Sequence, residues 1–167
     1  AVAFAQKVGL KPVIAGGVEA WKVAAFLAQH KVPVLIDPLG NLPGGFDQVG
    51  ASLENAARLN KAGVTLAFSM SDSSHQSRKI RQGAGNAVAN GLPWDAALAA
   101  ITATPAAIFG ANDRGRIAVG LRADLVLWSG DPLEVSTLAD AMWIGGEAQS
   151  LRSRQTELRD RYMPKQP

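Results

Sequence analysis

Three short apolar segments, spaced by helical stretches, constrain this chain more than any other feature. They are "KPVIAG" (11–16), "VPVLID" (32–37) and "VTLAFSM" (64–70). Each is apolar on both faces and too short for a buried helix, so each reads as a strand covered on two sides. The spacers carry a different period. In "VEAWKVAAFLAQH" (18–30), Trp21, Ala24, Ala25 and Ala28 recur at i, i+3, i+4 and i+7, while Glu19, Lys22 and Gln29 share another face. That is an amphipathic helix, with His30 in its last turn at the negative end of the dipole. "PLGNLPGGFDQ" (38–48) is broken by Pro and Gly and reads as a loop. "SLENAARLNKAG" (52–63) is a second helix, with Ser52 as N-cap and Gly63 as the stop. Strand, helix, strand, helix, strand is the order of βαβ units around a parallel sheet, either a small α/β layer or a piece of a barrel.

Beyond residue 76 the period becomes helical. Helices are predicted over 77–91, 93–102 and 104–110, the last with Thr104 as N-cap, Pro105 at the first helical position and Gly110 as the stop. Trp94, Ala97, Leu98 and Ile101 form one stripe of the middle helix. After residue 111 short strands take over, in "RIAVG", "ADLVLW" and "AMWIGGEAQ". A terminal helix over 153–162 would bring Leu158 near Tyr162 and pair Glu157 with Arg161. The chain thus divides into an α/β part (1–110), a β part (111–149) and a helical tail (150–167).

Bulk properties narrow the classes. The chain is 47% hydrophobic and 19% charged, which suits a globular core. No apolar run approaches the roughly 18–20 residues a membrane helix needs. "AVAFAQKVGLKP" has no secretory pattern, and the missing initiator Met fits a mature or truncated form. The expectation is a soluble protein, cytoplasmic or periplasmic, with no membrane partner. The net charge of +3 gathers in "LRSRQTELRDRYMPKQP", where signs alternate, so the tail is a solvated face rather than a nucleic-acid patch. Without Cys there is no disulfide, thiolate metal site or Cys nucleophile.

Chemistry is sparse. In parallel α/β folds, ligands bind beyond the C-terminal ends of strands. The loop after the second strand opens with Asp37. The loop after the third, "SMSDSSHQS", carries Asp72 and His75. On local sequence alone, an Asp among hydroxyls after a strand caps the next helix more often than it catalyses. The alternative is a metal ligand or a general base. Four adjacent residues do not make a Ser-His-Asp triad, and the two His show no metal-binding spacing. "GAGNAV" (83–88) follows charged residues rather than a strand, so it reads as a helix–helix contact and not a dinucleotide loop. Trp94, Trp128 and Trp143 read as core anchors.

The order of motifs adds a resemblance. "LNKAGVTLAFSMSDSS", "AVANGLPWDAALAAITATPAAIFG", "DRGRIAVGLRADLVLWSGDPLE" and "MWIGGEAQ" follow one another as in the C-terminal part of the amidohydrolase superfamily, and the chain resembles its imidazolonepropionase-like branch. The match runs through Thr102, Thr104, Pro105, Ala106 and Gly110, then Gly120, Ala123, Asp124, Leu125 and Val126. The resemblance implies the C-terminal part of a (β/α)8 metal-dependent hydrolase barrel, strands six to eight with their helices, plus part of a small β-sandwich. It implies a divalent metal, zinc foremost, and a small-molecule amide substrate with a cyclic or peptide-like C–N bond. Asp72 then matches the strand-eight aspartate, a catalytic base and possible metal neighbour, and His75 becomes a substrate contact. The family's HxH pair and its strand-four and strand-five ligands would lie upstream of residue 1. At the end of strand six, where some relatives have His, this chain reads Ile14, Ala15, Gly16, Gly17, Val18, Glu19. There Glu19 is expected to be a solvated helix residue. The partner implied is the N-terminal half of the same protein or a second copy of the chain. A non-catalytic α/β binding or assembly module is the alternative.

Overall fold

The computed structural model describes residues 2–40, 42–70 and 74–163. Strands β1 (Ile14–Ala15), β2 (Val34–Ile36) and β3 (Leu66–Phe68) pair in parallel in the order β1-β2-β3. Ile14 stands opposite Val34, and Val34 opposite Leu66. All of β3 is buried, and Val34 and Ala67 lose all solvent contact, as expected for a sheet covered on both faces. Leu27, Val32, Leu59, Leu92, Ala97 and Ala100 close the core around it.

The helices around the sheet follow the predicted order with shifted details. A short helix absent from the sequence reading, α1 (Val2–Lys7), precedes β1. The first spacer is a 3-10 turn over Ala20–Val23 running into α2 (Ala24–Gln29). Its buried positions are Ala20, Ala24 and Leu27 with Ala28 packed beside them, so Ala24 and Ala28 face inward as expected, whereas Trp21 is half-buried and Ala25 is exposed. The cause is Trp21, whose indole N–H donates to the Gly50 carbonyl at 2.9 Å while its ring lies 4.4 Å from the Arg58 guanidinium. Those partners hold the indole at the rim. In the second spacer the N-cap of α3 (Asn55–Lys61) is Glu54 and not Ser52, whose Oγ accepts from the Glu54 N–H just ahead of the helix, and Gly63 stops it at φ +81°.

A 3-10 stretch over Ser74–Lys79 leads into α4 (Ile80–Ala89), followed by α5 (Trp94–Ile101) and α6 (Ala103–Ile108). Thr102, not Thr104, occupies the N-cap of α6, and its hydroxyl donates back to the Leu98 carbonyl at 2.7 Å. Pro105 still falls in the first turn, where no intrahelical N–H bond is lost.

The β part is an antiparallel sheet of β4 (Leu125–Trp128), β5 (Ala139–Ile144) and β6 (Glu147–Ala148). Gly145 and Gly146 both have positive φ, +61° and +85°, which a two-residue hairpin turn of the primed type requires. "RIAVG" is not a strand. Ile117 and Val119 are fully or almost fully exposed, and no described strand pairs with that segment, so it has no ladder to join. The tail forms α7 (Arg154–Tyr162) behind a capping box of Ser153 and Thr156. Its expected Glu157–Arg161 pair does not form. Asp160 takes Arg159 instead at 2.6 Å, as is common for exposed pairs worth only a few tenths of a kcal/mol.

Candidate functional site

Because β1, β2 and β3 are parallel neighbours, their C-terminal ends open on one edge. Gly16 N donates to Leu35 O and Ser69 N to Ile36 O, both at 2.9 Å, so pairing continues one residue past β1 and β3. The segments after these ends are Gly16 to Glu19, the Asp37 turn and the stretch from Ser69 to Lys79. Asp72 lies outside the described residues, three positions beyond Ser69. His75 is exposed in the 3-10 stretch that follows.

Asp37 has a local role: its Oδ1 accepts from Leu39 N at 2.9 Å and closes an Asx turn. The space beside it, bounded by Pro38, Ser52, Leu53 and Asn55, is about 10 Å³, room for one water and not for a substrate. Glu19 is not a freely solvated residue. Its carboxylate accepts from Gly50 N and pairs with Lys22. The Lys22 ammonium first, then the Gly50 N–H, holds its pKa below the usual Glu value. Glu19 thereby ties the turn after β1 to the loop before α3.

The residue that the sequence reading missed is Asn55. It is 7% exposed at the start of α3. Its Nδ2 donates to Gly17 O at 3.0 Å and to Val18 O at 3.1 Å, and its Oδ1 accepts from Trp21 N at 3.2 Å. Three backbone groups of the turn after β1 are thus satisfied by one side chain. The available signal was its spacing: Asn55 stands four residues before the fully buried Leu59, on the inner face of the helix. Gln76 is a second such residue. Its Oε1 is buried and has no hydrogen-bond partner among the described residues.

The helix that carries "GAGNAV" packs on α5 as read, but its two glycines meet other segments. A Cβ on Gly83 would stand 2.7 Å from Pro38 Cγ, and one on Gly85 would run into the Leu133 carbonyl. One glycine admits the loop after β2 and the other admits the segment between β4 and β5. Nor are the tryptophans core anchors. Trp94 is 41% exposed, Trp128 and Trp143 are half-buried, and Trp94 and Trp128 bond polar groups at the junction of the two sheets' layers. Among the described residues no three His, Cys, Asp or Glu side chains converge, so the described part does not fit a metal by itself.

A model of the amidohydrolase family matches residues 55–148, and the chain belongs to that family. It is similar to amidohydrolase tasK of Hapsidospora irregularis, 47% identical over 60 residues, which are 35% of this chain and 6% of that protein. It is also similar to the crystal structure of an amidohydrolase from Thermotoga maritima MSB8, with a TM-score of 0.83 and 30% identity over 90% of this chain and 40% of the other. N-isopropylammelide isopropylaminohydrolase from Burkholderia multivorans shares the fold at a TM-score of 0.65 and 18% identity, over 88% of this chain and 41% of the other. The chain therefore spans less than half the length of the relatives it matches. Among the described residues no helix is long and apolar enough to cross a membrane.

Proposed function

We propose that this chain is the C-terminal part of an amidohydrolase of the imidazolonepropionase-like branch, one that hydrolyses a C–N bond in a small cyclic or peptide-like amide. The observation that carries the reading is the common edge of three parallel strands, with Asp72 just past the end of β3 and inside the family match. In this reading β1, β2 and β3 are barrel strands six, seven and eight, and the β4-β5-β6 sheet is part of the small β-sandwich. Asp72 is the catalytic base: it takes a proton from the attacking water as the oxygen bonds to the carbonyl carbon. It returns that proton to the nitrogen as the C–N bond breaks. His75 contacts the substrate. A divalent metal, zinc foremost, would polarise the carbonyl and needs ligands from outside the described residues. Among the described residues no strand pairs with the outer edge of β1, and Phe4, Leu10, Val13 and Phe26 are exposed; both favour further chain packed against this part. It would come from the N-terminal half of the protein or a second copy.

The test is a hydrolysis assay on the full polypeptide against a panel of cyclic and dipeptide-like amides. Asp72→Asn should lower kcat by a factor on the order of 10² to 10⁴ at similar KM. Retained turnover in that variant removes Asp72 from the chemistry. A polypeptide that binds amides without turnover favours a non-catalytic module, to which the Gly16 and Gly17 end of β1, lacking a polar side chain, already lends weight.

A further inference from the structure

The segment between β4 and β5 is seated on the α/β part by a polar clasp around one buried leucine. Leu133 is 4% exposed and packs in the core that surrounds β1 to β3. On one side of it, Trp94 Nε1 of α5 donates to the Asp131 carboxylate at 2.9 and 3.1 Å, and Asp131 Oδ1 also accepts from Leu133 N at 2.8 Å. On the other side stands Arg81, the second residue of α4. Its Nη1 donates to Pro132 O at 2.6 Å and its Nη2 to Thr137 O at 3.3 Å. Its guanidinium lies 4.1 Å from the Trp128 ring centroid. Arg81 thus holds three points of the β part with one planar group, which a lysine cannot reproduce.

The place of Arg81 in the chain gives this clasp its meaning. The stretch from Ser69 to Arg81 contains Asp72 and His75. Its upstream end is fixed by the Ser69 N–H on β2. Its downstream half is a 3-10 stretch, a helix form with poorer hydrogen-bond geometry than the α-helix it leads into. We infer that Arg81 is a positioning residue: by clasping the 128–137 segment it fixes the downstream end of the loop that carries Asp72 and His75. This rests on the reading of the β3 end as the catalytic edge. Arg81 itself touches no reacting atom.

The experiment compares Arg81→Lys and Arg81→Met with the wild type by residue-resolved amide hydrogen exchange on the full polypeptide, alongside kcat and KM. A lost charge-assisted hydrogen bond is worth about tenfold in a local opening equilibrium. Both variants should therefore speed exchange about tenfold at residues 75–82 and 133–138. Residues 34–36 and 66–68 should stay within about twofold. kcat should fall about tenfold with KM changed less than about threefold, because a misplaced loop costs turnover more than binding. Lysine should not rescue it, since the fork and not the charge does the holding. Uniformly faster exchange, or none, overturns the clasp. Faster local exchange with unchanged kcat overturns the positioning role. A polypeptide with no hydrolase activity refutes the function proposed above, and the exchange pattern still decides the clasp.

Discussion

Replacing Asn55 with alanine removes the one side chain that satisfies Gly17 O, Val18 O and Trp21 N together. Each such bond contributes roughly 1 kcal/mol net, and a buried group left unpaired costs about 1–3 kcal/mol. The site is 7% exposed, so water replaces the lost partners poorly. The sum is a loss of about 3 kcal/mol. For a chain of this size that lowers Tm by roughly 6–12 °C, and at an m-value near 2 kcal/mol/M it moves the urea midpoint down by about 1.5 M. Asn55→Asp should cost at least as much, because it keeps the acceptor for Trp21 N but sets a carboxylate against two carbonyl oxygens. Urea unfolding followed by tryptophan fluorescence measures the loss, and amide exchange at Trp21 places it. A loss below about 1 kcal/mol for Asn55→Ala, or unchanged exchange at Trp21, would refute the account of this turn.

Gly85→Ala drives a methyl group into the Leu133 carbonyl, so it should destabilise by about 1–3 kcal/mol and loosen residues 131–137 ahead of the parallel sheet; equal stability by thermal melting would sink the reasoning. Gln76→Met removes a buried acceptor that has no partner among the described residues, at nearly constant volume, and should raise stability by about 1 kcal/mol in the same assay. A clear drop would mean that the acceptor has a donor. Asp124 Oδ1 accepts from Arg122 Nε and Gly145 N, both at 2.7 Å, and Arg122 foremost holds its pKa below the ordinary Asp value. A depressed folded pKa stabilises above the unfolded value, near 4, and the gain is lost as pH falls through the folded one. The stability gap between wild type and Asp124→Asn should therefore be full at pH 6 and shrink below about pH 4. A gap of constant size across that range refutes the assignment.

The unequal legibility of the chain has physical causes. Strand identity was readable because two-faced burial forces a continuous apolar run, as in "VTLAF", which no surface segment sustains. Helix ends marked by Gly63 and Gly110 were readable because positive φ selects glycine whatever the surroundings. The burial of Trp21 was not. Trp21 has the right period for a core position, yet the Gly50 carbonyl and the Arg58 guanidinium compete for it, and both arrive from distant sequence. "RIAVG" failed for the converse reason: alternation and β-branching suit a strand, but a strand exists only beside a neighbour.

By itself the sequence determined the alternation of three apolar strands with helices and the series of motifs that marks the amidohydrolase family, although β1, unlike β3, is only partly covered. Those are properties of local period and of residues with strict backbone demands. Only the tertiary structure decided that the parallel strands lie in the order β1-β2-β3 with their C-terminal ends on one edge, that Asn55 and Glu19 hold the turn after β1, and that Arg81 and Trp94 clasp the segment around Leu133. Each of these joins groups far apart in the chain, and such pairings are chosen by competition for hydrogen bonds and buried volume, which no local pattern encodes.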